Sequence, residues 1–83
     1  MWFVYILKCV DNTLYTGITN DLEKRLQAHN DGTGAKYTRG RRPVEVVFKQ
    51  EFYSKSDAIK EEMRIKKLNR CEKLILLKEN RHM

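Results

Sequence analysis

The sequence predicts a small α+β domain: a three-stranded antiparallel sheet flanked by helices, in the order β-β-α-β-α-α. Three observations lead there. The stretch Trp2-Phe3-Val4-Tyr5-Ile6-Leu7 is aromatic and β-branched and too short for a helix, the composition of a central strand. A second stretch of the same kind follows after turn residues. Beyond these, segments with apolar residues at helical spacing lie on either side of a third, alternating segment. At 83 residues, with no repeat, low-complexity stretch or linker, positions 1–83 form one domain.

Each element has a local reason. Asp11-Asn12-Thr13 supplies turn residues, and Leu14-Tyr15-Thr16-Gly17-Ile18 resumes the strand pattern, so the two strands form a hairpin. Asn20, followed three residues later by Glu23, has the spacing of a capping box and predicts a helix start. Leu22 and Leu26 lie on one face of that helix, and Asn30 to Gly34 ends it. The basic, glycine-containing stretch up to Pro43 reads as a loop. Val44 to Phe52 alternates as a third strand, with Val44, Val46 and Phe48 on one face. Ser54 caps a second helix running to about Leu68, and a third amphipathic segment carries Leu74, Ile75 and Leu77.

Composition narrows the class. Hydrophobic residues make up 41% and charged residues 34% of the chain, as in a folded protein rather than a disordered one. Chains this short bury only about 60% of their unfolded surface, so a polar residue placed inside by the pattern needs a reason. No apolar run reaches the roughly 18 residues of a membrane span. The run from Trp2 to Leu7 has no basic leader and no small-residue cleavage site, so a cytoplasmic protein is expected. Cys9 and Cys71 are far apart in apolar surroundings, and with only His29 and His82 there is no zinc spacing. Reduced, structural thiols are expected.

Seventeen basic and eleven acidic residues leave a net charge of +6. The total fits a solubilising surface as well as a nucleic-acid partner. The distribution is more telling: residues 32–42 include Lys36, Arg39, Arg41 and Arg42, together with Tyr37, and no acid. Clustered charge of one sign is the footprint of a phosphate partner. Gly32, Gly34 and Gly40 would keep this stretch pliable and present N–H groups to phosphate oxygens.

Periodicity alone singles out Glu62. Ala58, Ile59, Met63, Ile65 and Leu68 form one apolar arc, and Glu62 points about 30° from its centre. A carboxylate there loses hydration and needs a cation or donors. An interior salt bridge and a metal ligand both satisfy that need. Arg25 and His29, four apart, share one face of the first helix beside Leu22 and Leu26. Tyr5 and Tyr15 stand on adjacent hairpin strands. Each offers a hydroxyl that relays a proton where positive charge lowers its pKa from about 10. Gly17, at a strand end, lets another group approach the backbone closely.

These residues resemble a known family. Val4-Tyr5-Ile6, about ten residues before Tyr15-Thr16-Gly17, is similar to the paired tripeptides that name the GIY-YIG nucleases. Leu14 to Leu22, with Arg25 and His29 following, resembles that family's second motif and first helix. Gly34-Ala35-Lys36-Tyr37-Thr38-Arg39, Arg42-Pro43 and Glu62-x-x-Ile65-Lys66 resemble the small stand-alone bacterial members, the YhbQ-like group. The tripeptides depart from the family pattern in lacking the leading glycine and the isoleucine, but keep both tyrosines and Gly17.

The resemblance implies an endonuclease that hydrolyses nucleic-acid phosphodiesters with one divalent metal ion, Mg²⁺ or Mn²⁺. Tyr5 would be the general base and Tyr15 would support the water and phosphate. Arg25 would contact the scissile phosphate, and His29 would assist proton movement. Glu62 would hold the metal. Lys36, Tyr37, Arg39, Arg41 and Arg42 would bind the nucleic acid, DNA first of all, and a role in DNA repair or processing would follow. Asn69 and Asn80 both qualify as the family's late asparagine. With no second DNA-binding domain expected, a protein partner would supply target choice. The rival reading is a nucleic-acid-binding module of the same fold that does not cut.

Overall fold

The computed structural model describes residues 1–79. The expected order of strands and longer helices is present, with one addition. β1 (Trp2–Cys9) and β2 (Leu14–Thr19) form the hairpin, followed by α1 (Leu22–Asp31) and a one-turn helix, α2 (Lys36–Arg39). Then come β3 (Val44–Phe52), α3 (Lys55–Lys66) and α4 (Arg70–Glu79). The sheet has the order β2-β1-β3, and both pairings are antiparallel.

β1 is the central strand and buries both faces, which is why its sequence is apolar throughout rather than alternating. Val4 and Ile6 pack with Phe48 against Ala58 and Ile65 of α3, with Leu76 and Leu77 of α4 at the margin. Tyr5, Leu7, Cys9 and Val44 form the second layer, closed by Leu22 and Leu26 of α1. In the hairpin turn Asn12 takes a left-handed conformation at φ 68°. The Asp11 carboxylate accepts from the amide and hydroxyl of Thr13, the local side-chain bonding that makes Asp and Asn turn residues.

Several expectations are corrected. Asp21, not Asn20, caps α1, accepting from the Lys24 amide at 3.1 Å. β2 runs on to Thr19, whose hydroxyl accepts from the Asp21 amide, and this moves the helix start one residue along. Ser54 caps α3 as expected, accepting from the Asp57 amide. Val44, Val46 and Phe48 do not share a face. Ile6 pairs with Phe48 but Leu7 with Val46, so Val47 is an extra residue that turns the rest of the strand over. Met63 is 54% exposed, so the buried stripe of α3 is narrower than the arc read from the sequence. Leu74 and Ile75 are exposed too, and α4 docks through Leu76 and Leu77. Cys9 is buried and free, whereas Cys71 is exposed.

Candidate active site

Tyr5 and Gly17 are directly paired across β1 and β2. The tyrosine side chain lies over the glycine, where an added Cβ would stand 2.6 Å from its hydroxyl oxygen. This is the close approach that Gly17 was expected to permit. Tyr15 stands two residues back on β2, its ring centroid 6.4 Å from that of Tyr5 and 5.2 Å from that of His29.

His29 is fully buried, and its Nε2 lies 3.0 Å from the Tyr5 hydroxyl. On the far side of the ring, Nδ1 is 2.7 Å from the Thr38 hydroxyl and accepts from the Ala35 amide at 3.4 Å. Thr38 donates to the Ala35 carbonyl at 3.0 Å. The imidazole thus bridges the hydroxyls of Tyr5 and Thr38 through its two ring nitrogens. Gly34 makes room for this, since a Cβ there would meet Nδ1 at 2.6 Å. Burial, and after it the charge of Arg25, holds the His29 pKa below its ordinary value, so the ring is neutral.

Arg25 is half-buried one turn before His29. Hydrogen bonding to the Tyr5 hydroxyl, and more weakly to Tyr15, holds its guanidinium firmly charged. The sequence reading expected positive charge to depress a tyrosine, and here burial wins. It raises the Tyr5 pKa above 10.0, against the opposing effect of Arg25.

Glu62 stands on α3, which packs against β1 and β2 from the face opposite α1. Its negative charge is still felt at the Tyr5 hydroxyl. Glu61 and Glu62 flank the buried stripe of Ala58 and Ile65, each about 50° off its axis. The two carboxylates have different partners: Glu61 holds Arg64 through two contacts of 2.7 and 2.8 Å, whereas Glu62 meets the half-exposed Lys66 at 3.3 Å. The interior salt bridge considered for Glu62 is thus an ion pair along the helix surface. One carboxylate with an easily displaced partner fits Mg²⁺, which keeps several waters and needs only one or two protein carboxylates. Among the described residues no group of three metal-binding side chains gathers, so Glu62 would hold such an ion with water and a substrate phosphate.

The basic segment is more ordered than a pliable loop. Gly32 is the left-handed C-cap of α1 at φ 84°, and Gly34 packs on His29. Tyr37 stacks on Tyr15 at 5.8 Å and 29°, with the Arg41 guanidinium 4.3 Å from the Tyr37 ring centroid. Arg41 also donates to Asp11 at 3.0 Å and to the Tyr37 carbonyl at 2.7 Å. Arg42 donates to the carbonyls of Arg39 and Asn30. Lys36 and Arg39 are exposed on α2.

Sequence reasoning missed Thr38, fully buried against His29, and Asn30, whose amide exchanges two bonds with the Val44 backbone. Neither lies in a periodic pattern, so nothing local marks it. Asn69 caps α4 in a reciprocal pair with Glu72, and Asn80 lies outside the described residues.

Residues 1–74 match the family described as the GIY-YIG catalytic domain. This chain belongs to the GIY-YIG family. Its GIY-YIG domain is 60% identical over 75 residues to the UPF0213 protein OB0043 of Oceanobacillus iheyensis, covering 90% of this chain and 87% of that protein. It is 50% identical to the UPF0213 protein YazA of Bacillus subtilis, covering 96% of this chain and 81% of that one. The solution NMR structure of the UPF0213 protein BH0048 from Bacillus halodurans superposes with a TM-score of 0.64 at 43% identity, covering 96% and 86% of the two chains. The resemblance to small bacterial GIY-YIG proteins and the α+β class both hold. No helix among the described residues is long and apolar enough to cross a membrane.

Proposed function

We propose that this GIY-YIG domain hydrolyses nucleic-acid phosphodiester bonds, in DNA first of all, with one divalent ion, Mg²⁺ or Mn²⁺, held by Glu62. The reading rests on one observation above others: the Tyr5 hydroxyl lies 3.0 Å from the Nε2 of a buried neutral imidazole, where the charge of Arg25 is also felt. Such a hydroxyl is positioned for proton transfer, whereas a tyrosine that only fills a sheet needs no more than water.

Arg25 offers a planar, permanently charged fork suited to a phosphate oxygen. His29 holds the Tyr5 hydroxyl in place through Nε2, 3.0 Å away. Burial disfavours the deprotonated form of Tyr5, so a role as base would call for added positive charge. A divalent ion held by Glu62 would supply positive charge and stabilise the leaving oxygen. Tyr15, with the ring of Tyr37 stacked on it, lies beside His29.

The test is a cleavage screen over branched, single-stranded and duplex DNA and RNA, with and without Mn²⁺. Metal-dependent cutting that disappears in Glu62→Gln supports the proposal. Binding with no cutting of any substrate would leave the non-cleaving module in its place.

A further inference from the structure

Two of the four basic residues first assigned to nucleic acid are bound internally, Arg41 by Asp11 and a carbonyl, Arg42 by two carbonyls. The positive surface beside the site has another source. A recess of about 180 Å³ adjoins Tyr37 and is lined by Thr13, Leu14, Arg70 and Lys73. It shares Leu14 and Arg70 with a groove of about 540 Å³ between α4 and the hairpin, where Lys8 and Lys78 join the wall. No aspartate or glutamate lines either cavity. The larger groove between α1 and β3, by contrast, is lined by Asp21 and Glu23 as well as Lys49.

The placement of these charges is locally unfavourable. Arg70 and Lys73 lie in the first turn of α4, where the helix dipole disfavours cations. Glu72, between Arg70 and Lys73 in sequence, is occupied in capping with Asn69. Neither cation has an ion-pair partner among the described residues. The recess is also one ring away from Tyr15, through the stacked Tyr37.

We propose that this cation-lined groove binds the nucleic-acid strand leading away from the scissile phosphate. Arg70 and Lys73 take the phosphates nearest Tyr37, and Lys8 and Lys78 take those further along. The floor of Leu14, Leu74 and Leu77 gives sugars and bases an apolar contact. The inference rests on the nucleic-acid reading of the site and adds the path of the substrate.

The test is the salt dependence of binding to a labelled oligodeoxynucleotide, single-stranded and duplex, in EDTA so that nothing is cut. Arg70→Gln/Lys73→Gln should lower the slope of log affinity against log salt by about two. Its thermal midpoint should be no lower than the parent's. The control pair Lys49→Gln/Lys60→Gln removes equal charge elsewhere and should leave the slope unchanged. A parent-like slope in the groove variant, or an equal fall in the control, overturns the groove alone. A parent that binds neither oligonucleotide overturns the nucleic-acid reading with it.

Discussion

A methyl group on Gly17 would stand 2.6 Å from the hydroxyl oxygen of Tyr5 and 2.8 Å from its ring carbon Cζ. The glycine is therefore the floor on which the tyrosine hydroxyl is held. Gly17 is buried in β2 and needs no unusual backbone angle, so the requirement is for space alone.

Gly17→Ala should fold, with a loss of about 1–3 kcal/mol from overpacking. It should also move the Tyr5 hydroxyl away from His29. A displacement near 1 Å can reduce turnover by about a hundredfold, so cleavage should fall far more than stability. Thermal unfolding and single-turnover cleavage of the same preparation check this. Unchanged cleavage would mean that the Tyr5 position is not critical.

His29 sets a dependence on pH. Burial lowers its pKa below the ordinary 6.5, so below that value the unfolded chain binds a proton that the folded chain resists. The unfolded state then holds more protons, and stability falls as pH drops through and below about 6.5. Above that value His29 contributes no slope. Denaturant titrations of the parent and of His29→Gln across this range should show the parent's slope partly removed in the variant. Identical slopes would place the effect in other groups.

Much of the fold was legible because short strands and capped helices write themselves locally. β3 was read with its observed limits, and Ser54 was read as a cap. What failed depends on tertiary contact. The bulge at Val47 breaks the strand's period with no glycine or proline to announce it. α2 exists because Thr38 is pinned by a buried histidine nine residues earlier. In the site, residue types that chemistry favours were found, Tyr5, Tyr15, Arg25 and His29, and the structure brings them together. Their supports were not found. Thr38 and Gly34 matter only through His29, and no pattern in one sequence shows that.

The basic segment should divide by role. Arg42→Gln loses two bonds to backbone carbonyls and should destabilise the domain by about 1 kcal/mol, with little change in the salt slope of binding. Lys36→Gln/Arg39→Gln removes exposed charges and should do the reverse, lowering the slope by about two with little change in stability. The same result for both variants would remove the distinction.

Glu62→Gln separates enzyme from binder most directly. The substitution keeps the side chain's shape and removes the charge that a hard divalent cation needs. An interior ion pair broken in this way would cost roughly 3 kcal/mol by stranding its partner. Lys66, however, is 53% exposed and lies one turn along the same helix, and pairs of that kind contribute about 0.3–0.5 kcal/mol. The glutamine variant should therefore unfold within about 1 kcal/mol of the parent. Its affinity for an oligonucleotide in EDTA should match the parent's, because the cations of α2 and α4 are untouched. Cleavage, and any rise in thermal midpoint on adding Mn²⁺, should both be lost. The second readout matters, since metal that stabilises the folded protein does so whether or not a substrate is cut. A variant that still gains stability from Mn²⁺ and still cuts at the parent rate would exclude Glu62 as the metal's ligand.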